Sequence, residues 1–304
     1  MAEAKKPRRK RLKRAAKSDL PGFKMTERDL EILRMVAIYR MVTSNQIRLL
    51  LFGGKQRSTQ CDLRLRLLFQ HGYLERRSQA TLHEENKPLV YLLTEKGVRH
   101  LMAVDEGEHS AIHWRPKLNQ MSQHHLQHVL QVNDVRIAIG QACDLHAYDL
   151  EWLDEFTIRG LKLYDRFPVR DATGRTNITV LIPDGFFTLD APELWMSCFL
   201  EVDRGTESLQ TVARKFSKYL AYFGTSGYRE RYGVWDENGN EIYPCVLTVT
   251  TSPKRVENLK AVAQEVGASS LFLFTTFTDV TPEQVLSQPI WQPVGSDTPV
   301  CLIR

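Results

Sequence analysis

Along residues 26–105 the spacing of apolar positions changes several times. Thr26-Glu27-Arg28-Asp29 makes a cap-like start, after which Leu30, Leu33, Ala37 and Met41 recur at helical spacing. Thr43-Ser44-Asn45-Gln46 is a stronger capping box and opens a short helix through Phe52. "GGKQRST" breaks it. Thr59 is placed to cap a third helix whose inner stripe is Cys61, Leu65 and Leu68, and Gly72 ends it. "YLERRS" and "PLVYLL" predict two short strands around the polar loop "HEENK", and "TEKGVRHLMAV" a closing helix.

Three helices, a hairpin and a trailing helix are the element order of a winged helix-turn-helix. "RLRLLFQHGYLERR" resembles the end of a recognition helix and the first wing strand of bacterial winged-helix regulators. That mapping puts Lys55, Gln56, Arg57, Ser58, Thr59 and Gln60 at the helix end a major groove receives. Arg64, outward from the apolar stripe, is a candidate phosphate contact, and Arg76, Arg77 and Lys87 decorate the wing. The competing reading is a winged helix used for protein pairing.

Residues 106–121 contain Gly and Pro and have no period, which predicts a linker. Ser122 then caps "QHHLQHVLQVNDVRIAIGQAC", with His128, Val132, Val135 and Ile139 on one stripe of a mostly buried helix. His124 and His128 have metal-ligand spacing. Without an HExxH pattern or a fourth ligand, packing and polar contacts are the expected role of the histidines. Strand-like runs follow at "AYDLEWL" and "EFTIR", then the polar loop "RDATGRTN". "ITVLIPDGFFTL" and "LWMSCFLEVD" predict a hairpin. "TESLQTVARKFSKYLAYF" predicts a helix with Leu209, Val212, Phe216, Leu220 and Phe223 inward. Strand "YPCVLTVTT", helix "PKRVENLKAVAQEVG" and strand "SLFLFTTF" complete the order, and the last 25 or so residues look irregular. The expected fold is a two-domain α+β protein. A basic disordered tail (1–24) and a winged helix-turn-helix (25–105) lead through the linker to an α/β restriction-endonuclease-like core of PD-(D/E)xK type (122–304).

Charge sharpens the view of the tail. Residues 1–17 hold nine Lys/Arg and one Glu, so +8 of charge sits in a chain whose net is +5, leaving −3 on the other 287 residues. Such a run repels itself and can neutralise phosphates without reading sequence. No apolar run is long enough to span a membrane, and the basic start leads into "SDLPGFK" instead of an apolar signal segment. Five scattered cysteines form no CxxC pair, which fits a reducing, cytoplasmic setting.

The chemistry concentrates in "IPDGFFTLDAPELWMSCFLEVDRGTES" (182–208). Strand parity puts Glu201 and Asp203 on one face, about 6.5–7 Å apart. Asp184, after Pro183, is expected near the middle of the partner strand, so three carboxylates can converge. Asp184, Glu201 and Asp203 are therefore candidate ligands for Mg²⁺ or Mn²⁺, which would make the site catalytic; otherwise no cofactor is implied. The lysine usual two residues after the second acid is Asp203 here. Lys215 on the next helix is the candidate substitute, with Lys218 second. The competing reading is that Asp203-Arg204-Gly205-Thr206 is a plain turn into a helix cap.

"PDGFF", "FLEVDRGTES" and "KFSKY", preceded by "LQHVLQVNDVR" and a winged helix, resemble the replication-relaxation family of bacterial plasmids and mobile elements, over roughly residues 25–250. The resemblance implies a role in element maintenance, with Asp184, Glu201, Asp203, Thr206, Lys215 and Tyr219 as motif positions. The expected partner is double-stranded DNA and no membrane, with a replication or conjugation protein and a second copy of the chain as further candidates. The leading expectation is a DNA-binding replication or relaxation protein. The alternatives are a divalent-metal-dependent endonuclease or nickase, and a winged-helix transcriptional regulator with a non-catalytic nuclease-like domain.

Overall fold

The computed structural model describes residues 14, 20–54, 58–79, 87–105, 114, 116–170, 174–191, 194–232, 234–235 and 241–303. The chain divides into two compact units, Met1–Gln123 and His124–Arg304. Among the described residues no helix is long and apolar enough to cross a membrane.

In the first unit, α1 (Glu27–Tyr39) is followed by β1 (Met41–Thr43), α2 (Ser44–Leu51), α3 (Thr59–Gln70), β2 (Leu74–Arg77), β3 (Val90–Leu93) and α4 (Glu95–Val104). Both expected capping boxes form: Thr26 exchanges bonds with Asp29, and Thr43 with Gln46. Each satisfies two helix-end donors that would otherwise lack partners. Cys61, Leu65 and Leu68 are fully buried, as the stripe predicted, among Ile32, Leu33, Val36, Ile47 and Leu101. Met41 is not helical. α1 stops at Tyr39, Arg40 takes φ 64°, and Met41 opens a strand too short for its period to show. The antiparallel sheet has the order β1-β3-β2.

The ends of this unit are more ordered than composition suggests. Arg14, within the expected tail, donates to the carbonyls of Phe69 and Leu74, each at 3.0 Å. Phe23 stacks on His71 with centroids 4.7 Å apart. In the expected linker, Pro116–Gln120 forms a 3-10 turn. Asn119 donates to the Leu93 carbonyl and the Glu75 carboxylate, and Arg77 donates to the carbonyls of Asn119 and Met121. These polar bonds and a single aromatic, Trp114, which packs against the core and donates to the Leu93 carbonyl, tie this segment down, so no hydrophobic period announced it. Residues 1–13 and 15–19 of the basic tail, 106–113 and 115 of the expected linker, and most of "HEENK" lie outside the described residues.

The second unit opens with α5 (Gln123–His146), β4 (Asp149–Asp154) and α6 (Glu155–Gly160). "EFTIR" is thus helix, not strand: Asp154 caps it through the Thr157 amide at 2.6 Å and Arg159 reaches Glu155 one turn back. β5 (Arg166–Arg170) pairs with β6 (Thr176–Val180) in a separate antiparallel ribbon. The run read as one strand, "ITVLIPDGFFTL", therefore breaks at 181–184, before β7 (Gly185–Ala191). β8 (Leu194–Val202), α7 (Leu209–Phe223), α8 (Ser226–Tyr232), β9 (Val234–Trp235), β10 (Glu241–Ile242), β11 (Cys245–Thr250), α9 (Pro253–Glu265), β12 (Phe272–Thr276) and β13 (Gln292–Pro293) follow.

The main sheet has the order β13-β12-β11-β8-β7-β4. β8, β11 and β12 are parallel, while β4, β7 and β13 pair antiparallel with their neighbours. Buried strands that alternate between two apolar faces need cover on both. Phe186, Phe199, Val246, Phe272 and Phe274 face α7 and α9. Phe187, Cys198, Leu200, Val202, Leu247 and Val249 face α5 and the chain end. The irregular terminus is well packed: Trp291 is fully buried and donates to the Val285 carbonyl. On α7 the inward positions are Val212, Phe216, Tyr219 and Tyr222, while Leu209, expected inside, is 39% exposed. All five cysteines are free.

Candidate functional site

Asp184 and Glu201 meet at one end of the sheet. The register ends at the Gly185–Leu200 pair, and Asp184, one residue before it, donates from its amide to the carbonyl of Leu200, the residue next to Glu201, at 3.1 Å. The Asp184 charge acts on Glu201 there. Asp184 precedes β7 and does not lie mid-strand as expected.

Three elements converge there. From α5, His128 Nε2 lies 2.9 Å from Asp184 Oδ1, while Asp184 Oδ2 accepts from the Val202 amide at 2.8 Å. From α7, Lys215 donates to Glu201 Oε2 at 2.8 Å and Tyr219 OH to Glu201 Oε1 at 2.6 Å. Lys215 and Tyr219 are one helical turn apart, so one face of α7 grips both oxygens of Glu201. Ser208 caps α7 and sets where that face begins. The cleft has a volume of about 230 Å³, and its walls include His124, His125, His128, Asp184, Arg204 and Lys215.

The electrostatics separate the two acids. Burial pushes the Asp184 carboxyl up, but the His128 bond and charge, Lys215 and the Val202 amide together hold it below the ordinary range. For Glu201 burial wins: it rises despite Lys215, and the Asp184 charge adds to the rise. The facing Glu201 charge drives Lys215 upward, so its ammonium stays protonated. Burial and the neighbouring Glu201 raise Tyr219 well above a normal phenol, which keeps it a donor. His128 is pulled down by burial, yet Asp184 prevails and raises it.

Asp203 does not join this pair. β8 ends at Val202, and Arg255 donates from Nε to Asp203 Oδ2 at 2.8 Å and from Nη2 to Oδ1 at 3.0 Å. Thr250 also donates to Oδ2 at 2.6 Å. Parity placed Asp203 on the right face, but its opposite-charge partner on α9 claims both oxygens. Asp203 lines the cleft beside Asp184, with its charge matched by Arg255. Among the described residues no group of three or more His, Cys, Asp or Glu is arranged to hold a metal ion. Asp203-Arg204-Gly205-Thr206 is a turn, with Gly205 at φ 70°, leading to the Ser208 cap. Thr206 lies 3.5 Å from His124 Nε2. Lys218 bonds to neither acid among the described residues, and Lys215 is the lysine that reaches Glu201.

Of the candidate DNA contacts, Thr59 and Gln60 are exposed at the start of α3, and Ser58 caps it through the Cys61 amide. Lys55, Gln56 and Arg57 lie outside the described residues. Arg64 does not point freely outward: it pairs with the fully buried Asp29 and donates to the Lys24 carbonyl. Arg76 lies 4.4 Å from the Phe69 ring centroid, Arg77 is bonded as described, and Lys87 is half-buried. Sequence reasoning missed His128 and Arg255 as site residues. The signal for His128 was its place one turn before Val132 on the stripe facing the sheet. For Arg255 it was the Ser252-Pro253 helix start, which puts the first turn of α9 at the strand end beside Asp203.

The fold and cleft define a two-unit protein of mixed α and β structure. Residues 33–237 match the family model described as replication-relaxation, and the chain belongs to that family. No curated protein matches the sequence. Among solved structures, restriction endonuclease FokI bound to DNA aligns at 9% identity and TM-score 0.26, over 84% of this chain and 43% of that one. A second structure of restriction endonuclease FokI aligns at 8% identity and TM-score 0.27, over 83% of this chain and 43% of that one. The chain spans under half the length of FokI, and the likeness is too slight to assign a fold.

Proposed function

We propose that this is a DNA-binding protein acting in the cytoplasm in the replication, relaxation or maintenance of a plasmid or mobile element. The first unit is a winged helix-turn-helix that places α3 against double-stranded DNA. The second is a restriction-endonuclease-like core that engages the same DNA. The observation carrying this reading is the division of α3: Cys61, Leu65 and Leu68 are fully buried, while Thr59 and Gln60 at its N-terminal end are exposed. A recognition helix needs that division, with an anchored back and a polar leading end. Family membership supports the biological setting. The test is a binding assay on the full chain with Arg57→Ala and Gln60→Ala. Loss of sequence preference with non-specific affinity retained supports readout at α3; unchanged preference rejects it.

A second reading, a divalent-metal-dependent endonuclease or nickase, is favoured by the pairing of Asp184 with Glu201 beside Lys215. The donor set fits Mg²⁺ or Mn²⁺ in part. Two carboxylates that face each other suit a hard cation, which commonly takes one or two protein carboxylates and completes its shell with water and substrate phosphate. Asp203 lines the same cleft, but its charge is already matched by the Arg255 guanidinium. Such an ion would be held by Asp184 and Glu201, and would supply charge neutralisation and activation of water. In this chain Tyr219 orients Glu201, His128 orients Asp184, and Lys215 brings positive charge to a phosphate under attack. Supercoiled plasmid with Mg²⁺ or Mn²⁺, beside Glu201→Ala, decides it. Nicking by the wild type alone supports the enzyme; no nicking with binding intact removes it.

A further inference from the structure

The β5–β6 ribbon stands apart from the main sheet and carries a pattern the cleft does not use. Phe167 and Val169 point inward; Phe167 is buried and its ring lies 5.0 Å from Tyr222 of α7. The register pairs Arg166 with Val180, Pro168 with Ile178 and Arg170 with Thr176, so these six share the outer face. Arg166, Pro168, Arg170 and Thr176 are exposed, and Ile178 is 60% exposed at the centre. Neither Arg166 nor Arg170 has a hydrogen-bond or ion-pair partner among the described residues. The adjacent acid, Asp165, does not neutralise them: it accepts from Arg231 at 2.8 and 3.0 Å and from Tyr222 at 2.6 Å.

We infer that this ribbon is a groove-binding element for duplex DNA, with Arg166 and Arg170 on phosphates and Ile178 between them against the groove. The inference rests on the DNA-binding reading and adds a contact surface to it. The dimensions agree. Four residues of strand separate the two arginines by roughly 13 Å. The major groove is about 12 Å wide and admits a two-stranded ribbon. Arginines at the two ends of the strand can therefore meet phosphate rows on opposite lips of one groove. The apolar centre suits a thymine methyl or a sugar face. Position agrees too. Tyr222 lies seven residues beyond Lys215 on α7, roughly 10 Å along its axis. The ribbon thus rests on the same helix that carries Lys215. Phosphates complement the arginine pair, and Ile178 gives the face between them an apolar centre.

The experiment measures affinity of the full chain for a mixed-sequence duplex by fluorescence anisotropy across a salt series. It compares wild type, Arg166→Ala/Arg170→Ala and Arg166→Lys/Arg170→Lys. All the altered side chains are exposed, and equal thermal unfolding checks the fold. Two lost phosphate contacts lower the log–log salt slope by nearly 2, at ~0.9 per phosphate, and the lysine pair restores it. An alanine pair with the wild-type slope overturns the proposal while the DNA-binding reading stands. A wild type that does not bind duplex at low salt overturns both. Equal control by the arginines of binding to poly-glutamate, at matched affinity, assigns the surface to an acidic protein partner and also overturns it.

Discussion

Arg255 grips both carboxylate oxygens of Asp203, at 2.8 and 3.0 Å, and so matches the charge of an acid in the wall of the cleft. The two side chains are 14% and 7% exposed, so the pair is largely desolvated. Breaking a buried pair from one side strands the other charge and costs about 3 kcal/mol or more. Asp203→Ala is expected to lower unfolding free energy in urea by about that amount, with Arg255→Ala similar and the double variant well short of additive. Additive losses would show that the pair is not coupled.

Glu201 has no such freedom to change partners. Lys215→Met leaves its carboxylate, 4% exposed, with Tyr219 as the remaining side-chain donor. The carboxyl then rises further, and any Mn²⁺ binding becomes more pH-dependent. Isothermal titration with Mn²⁺ at two pH values checks this. Asp203→Asn, by contrast, should leave Mn²⁺ affinity unchanged, and a large loss there would return Asp203 to the site.

The His128–Asp184 contact gives stability a pH signature. Asp184 sits below its ordinary 3.8, so its contribution is present above that value and lost as pH falls through the lowered one. His128 sits above its ordinary 6.5, so its contribution is full below 6.5 and lost as pH rises through the raised value. Both act between about 4 and 6.5. The stability gap between wild type and His128→Asn should therefore be widest in that window and shrink above it. A gap that stays constant to pH 9 in chemical unfolding would refute the pairing.

Gly185 is small for a packing reason. A Cβ there would come 2.7 Å from Trp152 Cζ2, and the indole is stacked on Phe187 with centroids 5.0 Å apart. Gly→Ala ordinarily stabilises by up to about 1 kcal/mol through the unfolded chain. Overpacking costs about 1–3 kcal/mol, so Gly185→Ala should destabilise, with a shift in tryptophan fluorescence. Because Asp184 is its neighbour, the substitution should also disturb the cleft.

Much of this was legible in the sequence, for reasons that differ by element. α3 announced itself because Cys61, Leu65 and Leu68 bury one stripe under a polar cap. The Glu201–Lys215 pair was reachable because strand parity and helix period both hold locally. "EFTIR" misled because six residues carry no period, and the Asp154 cap decided its state. The ribbon hid because Val180 and Gly185 lie in one apolar run whose break at 181–184 is a tertiary event. The partner of Asp203 stayed hidden because Arg255 lies 52 residues away, beyond any local pattern.

The sheet order β11-β8-β7 also has a kinetic side. Asp184 and Glu201 come from a hairpin, and Lys215 from the helix directly after it, so these contacts close short loops. β11 reaches β8 only after α7, α8 and a further strand pair, and parallel pairings across such loops form slowly. The acidic pair and its lysine can therefore assemble early, while Asp203 waits unpaired until α9 arrives with Arg255. Refolding followed at the two places would separate them in time, the cleft first and the Asp203 clamp last.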